Sequence, residues 1–230
     1  MGLNNQQESQ VYVKVLADGT LRKKVPEGTE GCVRREIEDQ KTKEVTVVFE
    51  MVHESVDGMM GNITLKEGKF GDQLMIPMTD GDDTFTLALS VAQNFGEDFM
   101  KKLPNIDKTK PVMLKPYSFT SEAGKPVRGI DVRQDWNEHE PISKENGTKI
   151  TSFYQEGSGR DTKNLHGYPE AEVGTKGDDW KIYFAVARKF LIKDLSEKGF
   201  IVPAAVATGV VPTSSAPVEP ETDEDWDTAA

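Results

Sequence analysis

Thr84-Phe85-Thr86-Leu87-Ala88-Leu89-Ser90-Val91-Ala92-Gln93-Asn94-Phe95-Gly96-Glu97-Asp98-Phe99-Met100-Lys101-Lys102-Leu103-Pro104 can be read in two ways, and the choice between them decides the fold. Phe85, Leu87, Leu89 and Val91 alternate with smaller or polar residues, the period of a strand with one buried face. Phe85, Leu89, Ala92, Phe95, Phe99 and Leu103 also fit one stripe of a helix. Ser90 is a competent N-cap, so a switch there gives a strand followed by a helix that stops at Pro104.

Before this segment, Val11–Val15 and Val45–Val52 read as strands, the latter with Val45, Val47, Phe49 and Met51 on one face. Asp57-Gly58 reads as a break, and strands follow at Asn62–Leu65 and Gln73–Met78. Thr79-Asp80-Gly81-Asp82 is the turn of a hairpin. After the helix, Pro111–Thr120 and Val127–Gln134 pair across Glu122-Ala123-Gly124-Lys125, and Lys149–Gln155 is a further strand. Gly157–Gly177, with five glycines, reads as a mobile loop. Asp178–Lys198 reads as an amphipathic helix with Tyr183, Val186, Ala187, Phe190 and Leu191 inward, stopped by Gly199.

The order of three strands, a helix, then two or three strands is the plan of an oligonucleotide-binding (OB) fold. The expected class is therefore mainly β with two or three helices: a five-stranded Greek-key barrel in a domain spanning 1–200. Residues 201–230 read as a flexible linker and a disordered acidic tail, because Ala, Val, Thr, Ser, Pro and then acid cannot bury enough surface to order themselves.

The 230 residues carry 28 basic and 39 acidic side chains, a formal charge of -11, with 36% hydrophobic residues. Six of the acids lie between Glu219 and Ala230, where there is no basic residue. Lys101–Arg133 goes the other way, with eight basic residues against three acidic. A cationic middle and an anionic end fit a polyanion-binding surface and a segment that competes for it. One cysteine, Cys32, excludes an internal disulfide and suits a reducing compartment. The opening residues lack a basic-then-apolar signal, and no apolar run approaches the ~18 residues of a membrane span. The expectation is a soluble, cytoplasmic protein with no membrane association.

Strand alternation puts Lys115, Tyr117 and Phe119 on one face, Arg133 beside Asp131 on the next strand, and Lys149 with Phe153 on a third. Arg128 adds another cation, and Trp136 lies in Asp135–Glu140, which reads as an exposed loop, with inward packing as the other fate of that ring. Cations beside flat rings bind single strands, with phosphates on the cations and bases stacked on the rings. The other fate for Tyr117 and Phe119 is to fill the barrel interior. No catalytic constellation is visible: His53, His139 and His166 lack ligand spacing, and Asp80, Asp82 and Asp83 begin a calcium loop without completing it. No cofactor or metal is expected. Within the acid, Asp223-Glu224-Asp225-Trp226-Asp227 embeds one ring that can anchor in a basic pocket of a partner.

Lys102-Leu103-Pro104-Asn105-Ile106-Asp107, Lys115-Pro116-Tyr117-Ser118-Phe119, Gly129-Ile130-Asp131-Val132-Arg133-Gln134 and Lys149-Ile150-Thr151-Ser152-Phe153-Tyr154 follow one another as in a known family. In that order they resemble the single-stranded DNA-binding proteins of tailed bacteriophages, over about Val45–Tyr154 plus the tail. The resemblance implies an OB-fold core that coats single strands in replication, recombination and repair, in the host-cell cytoplasm. It also implies an acidic tail that docks replication proteins, such as a DNA polymerase or helicase, and competes with DNA. Self-association is left open. The chain departs from the family by ending Thr228-Ala229-Ala230, with Trp226 its last ring. The alternative is an acidic DNA mimic or host-factor-binding protein without nucleic-acid binding; a nuclease using clustered aspartates ranks third.

Overall fold

The computed structural model describes residues 11–39, 42–68, 71–122, 124–136, 146–157, 161–172 and 174–203. The elements begin with strands β1 (Tyr12–Val15), β2 (Leu21–Lys24), β3 (Val33–Glu38), β4 (Val45–His53), β5 (Val56–Met60) and β6 (Ile63–Lys66). Then come β7 (Gln73–Asp80), β8 (Asp83–Ser90), helix α1 (Asn94–Lys102), β9 (Val112–Thr120) and β10 (Pro126–Gln134). The last are β11 (Thr148–Lys149), β12 (Gln155–Glu156), β13 (Lys163–Asn164), helix α2 (Asp179–Glu197) and β14 (Ile201–Pro203). Among the described residues the chain is mainly β with two α-helices, as the sequence implies. Among the described residues two compact units separate, Lys24–Val52 and the chain on either side of it.

In the larger unit the strands run in the order β11-β10-β9-β5-β7-β8-β1-β2, with β6 also on β7 and β14 on β6. β5 and β6 follow one another along the same edge of β7, through Met60↔Met78 and Thr64↔Met75. At the join, the Gly61 amide donates to the Pro77 carbonyl at 2.8 Å. Asp57-Gly58 lies inside β5 and does not break it. Gly58 holds a φ of 144°, and a Cβ there would lie 2.4 Å from the Thr79 carbonyl oxygen, so the glycine admits a close backbone crossing.

β7 and β8 form the expected hairpin, closed by Asp80↔Asp83, with Gly81 at φ 58° as the primed turns require. The strand-then-helix reading of 84–104 holds, but the helix starts later than Ser90. Ser90 is still paired with Gln73, and the Gln93 amide donates to the Ser90 carbonyl, so a turn precedes the helix. Gly96 lets α1 rest on that carbonyl, since a Cβ would lie 2.2 Å from the Ser90 oxygen. Phe95, Phe99 and Met100 of α1 then fill the core with Leu74, Ile76, Leu87, Leu114, Ile130 and Val132.

No sheet closes among the described residues. The outer edge of β8 is taken by β1 in parallel, Val13 opposite Leu87, so that edge does not turn to meet β10. What the described residues form is a large, mostly open sheet. The strand expected at Lys149–Gln155 is also shorter. β11 ends at Lys149, and β12 belongs to a separate two-stranded ladder with β13.

The segment Gly157–Gly177 is not free along its length. Tyr168 is buried, and its hydroxyl donates to Glu97 of α1. Glu97, 5% exposed, also takes Lys101 at 2.8 Å and Arg188 of α2 at 3.1 Å. On α2 the buried stripe is Ala187, Leu191 and Leu195, while Val186 faces solvent instead of the core. β14 extends the order past the expected end of the domain, pairing in parallel with β6 through Ile201↔Ile63.

In the smaller unit β3 and β4 form an antiparallel ladder from Val33↔Glu50 to Glu38↔Val45. On the face read from the sequence Val45 and Val47 are exposed and Phe49 and Met51 half-buried, while Val48 and Glu50 on the other face are buried. Arg35 donates two hydrogen bonds to Glu50, at 3.1 and 3.0 Å, which is how that carboxylate is tolerated there. No helix among the described residues is long and apolar enough to cross a membrane.

Candidate nucleic-acid interface

β9 and β10 pair over eight positions, including Lys115↔Asp131, Tyr117↔Gly129 and Val127↔Phe119. The period of two puts Val112, Leu114 and Pro116 inward, opposite Ile130 and Val132. Lys115, Tyr117 and Phe119 therefore stand on the reverse face. Directly opposite residues share a face, so Asp131, Arg133 and Lys149 join them, with Lys149 opposite Arg133 on β11.

The rings of Tyr117 and Phe119 stack at 5.9 Å with 30° between their planes, and Phe119 is 56% exposed. Tyr117 lies deeper. A Cβ on Gly129 would fall 2.3 Å from its hydroxyl oxygen, so the glycine is the floor on which the phenol rests. Partial burial, with the carboxylates of Asp98 and Asp131 near it, pushes the Tyr117 hydroxyl above its ordinary value and keeps it neutral. From the side, the turn after β1 meets the β9 backbone. Gly19, at φ 82°, has the Ser118 amide nitrogen 2.8 Å from where its Cβ would be.

Asp131 organises the cations. Its Oδ2 accepts from Arg133 Nε at 2.7 Å, and its Oδ1 lies 3.7 Å from Lys149 Nζ. Lys115 Nζ lies 3.8 Å from Glu54, whose side chain is 89% exposed. Close by, α1 caps the edge of β10 at Ile130, beyond the stretch paired with β11. Asp98 accepts from the Ile130 amide at 2.8 Å, and buried Lys102 donates to the Ile130 carbonyl and to Asp98 at 2.8 Å. Ile130 stands opposite Pro116, which has no amide to offer, and the two side chains of α1 satisfy the backbone groups on its other side.

No protein-family model, curated protein or solved structure matches the chain.

The sequence-derived site divides on this geometry. Lys115, Tyr117, Phe119, Arg133 and Lys149 come together on one face. Arg128 does not, because it lies five residues from Arg133 and falls on the side of Ile130 and Val132. Phe153 does not share a strand face with Lys149, since β11 has already ended. Its ring stacks on His166 at 3.8 Å and 9°, with Lys198 5.1 Å above it. Trp136 is half-buried, outside β10 and past Asp135, which holds φ 57°. Asp223, Glu224, Asp225, Trp226 and Asp227 lie outside the described residues.

The basic stretch is also less of a surface than its +5 suggests. Lys101 is committed to Glu97, Lys102 is buried, and Lys110 is 2.6 Å from Asp135. Gly129, Asp98 and Gly19 were missed as parts of the site. Only Gly129 was within reach, since a hairpin turning on 122–125 sets it opposite Tyr117.

Proposed function

We propose that the protein binds single-stranded DNA without sequence preference and without catalysis, coating strands in replication, recombination and repair. The observation that carries this reading is the stacked pair Tyr117–Phe119, with Phe119 open to solvent, beside Lys115, Arg133 and Lys149 on one sheet face. Bases stack on exposed rings at about 1–3 kcal/mol each, and the cations track the phosphates. The finer OB-fold reading is supported by strand order. β5 with β6, then β7, β8, α1, β9 and β10 put the helix between the third and fourth strands of a partly open sheet. In this reading the acidic tail docks replication proteins such as a polymerase or helicase and competes for the same face.

Fluorescence titration with oligo-dT at two salt concentrations tests the proposal. Affinity should fall with a log–log slope of about -0.7 per phosphate neutralised. Deleting Glu219–Ala230 should tighten binding, and unchanged affinity would remove the tail as a competitor. A second reading, an acidic interaction protein that leaves DNA alone, draws on Asp131, which neutralises Arg133 and approaches Lys149. Absence of binding to either single strand or duplex would favour it.

A further inference from the structure

Strand β3, Val33-Arg34-Arg35-Glu36-Ile37-Glu38, pairs only with β4 among the described residues, so its other edge presents open backbone donors and acceptors. Proteins commonly blunt such an edge with a proline, a bulge or a row of like charges. β3 has neither a proline nor a break in its six-pair register with β4, and its charges are of both signs. They are arranged so that the strand complements itself.

We propose that this edge is a docking surface for the same edge of a second copy of the chain, the two β3 strands running antiparallel about a twofold axis at Arg35. Opposed residues in an antiparallel pair share a face, so a twofold normal to the sheet must lie midway between one residue and its own copy, with that residue opposite itself. Centring it on Arg35 sets Arg34 opposite Glu36 of the second copy, twice over. It also sets Val33 opposite Ile37, twice over, on the other face. Val33 is exposed and Ile37 half-buried in the single chain, so this contact covers apolar surface. Arg34 and Glu36 are each more than half exposed and bridge one another within the strand at 2.6 Å, so both can turn to a partner without leaving water. The one like-charge meeting, Arg35 on Arg35, is neutralised in advance by the two hydrogen bonds each makes to its own Glu50. Centring on Glu36 instead would oppose two exposed acids and set Ile37 opposite Arg35, so the Val33–Ile37 contacts would not form.

Charge reversal tests this pairing on the full chain, read by sedimentation velocity over a concentration series. The wild type should shift from one chain to two as concentration rises. Arg34→Glu alone puts two acid pairs across the axis, and Glu36→Arg alone puts two basic pairs there. Each should raise the dimer dissociation constant by about tenfold or more. Mixing the two variants should restore association. The acid introduced into one chain then meets the base introduced into the other, and the native Glu36 of the first meets the native Arg34 of the second. Both sites are exposed, so melting temperatures should stay close to wild type, which separates lost pairing from lost folding. A wild type that stays single throughout overturns the proposal. So do variants that dimerise as well as the wild type, or a mixture that fails to associate. None of these readouts involves DNA, so the outcome is independent of the nucleic-acid reading.

Discussion

The hydroxyl of Tyr117 occupies the space a side chain at Gly129 would need. A Cβ there would fall 2.3 Å from the phenol oxygen and 2.7 Å from Asp98 Oδ2. Asp98 is held by the Ile130 amide and by Lys102, so the ring is the part that must yield. Gly129→Ala should therefore lift Tyr117 off the sheet and destabilise the protein by about 1–3 kcal/mol. Oligo-dT affinity should fall with it. Calorimetric melting and a binding titration on one preparation check both, and an unmoved melt with unmoved affinity would contradict the packing.

Phe119 and Phe153 make a matched contrast. Phe119 projects from the sheet face, so Phe119→Ala should weaken single-strand binding by about 1–3 kcal/mol and leave the melting temperature nearly unchanged. Phe153 packs beside the core on His166 and Tyr154. Phe153→Ala should lower the melting temperature and spare affinity once folded protein is counted. The reverse pattern would place the nucleic acid elsewhere.

Asp131 should restrain binding. Asp131→Asn removes the charge that holds Arg133 at 2.7 Å and faces Lys149 at 3.7 Å. If strands lie across this face, the variant should bind oligo-dT several-fold tighter, with a steeper salt dependence by about 0.7 in slope for each phosphate newly neutralised. Isothermal titration at two ionic strengths measures both, and a weaker-binding variant would speak against the arrangement.

Asp194 sets an acid limit on stability. Burial acts to raise its pKa, but hydrogen bonds from Lys198 and the Tyr154 hydroxyl and the charge of Lys198 outweigh it, and the carboxyl is held below its usual 3.8. A depressed carboxylate contributes stability that is complete above its unfolded pKa and is lost as pH falls through the folded value. Asp194→Asn should thus melt lower than wild type at neutral pH. The gap should close as pH drops below 3.8, which melting curves at a series of pH values would show. A gap constant with pH would assign the loss to packing alone.

The elements legible in the sequence were those whose patterning has a single solution. β9 and β10 alternate, so the period of two groups Lys115 with Tyr117 and Phe119, and Ile130 with Val132; which of the two faces is buried is decided by the packing of Leu114, Ile130 and Val132 against α1. In β4 the alternation groups Val45 with Val47 but does not say which side is covered, and those two valines stand on the open face. The buried positions include Glu50, whose place depends on Arg35 fifteen residues away and cannot be seen in local periodicity. Gly58 misled for a related reason: a glycine admitted for a backbone crossing looks in sequence like one that ends a strand. Phe153 was misplaced because nothing local marks the end of β11, and His166, the ring it stacks on, lies in a different segment. Arg128 needed only arithmetic, since an odd interval from Arg133 reverses its side.

β14 changes how the chain leaves the body. The last described residues do not hang from the end of α2. They lie lengthwise against β6, with Ile201, Val202 and Pro203 in register beside Ile63, Thr64 and Leu65. A pull on the chain beyond Pro203 along the strand loads this ladder in shear, so its bonds resist together and do not peel one by one. Tension applied at Pro203 reaches β7 through β6 without first unwinding a helix.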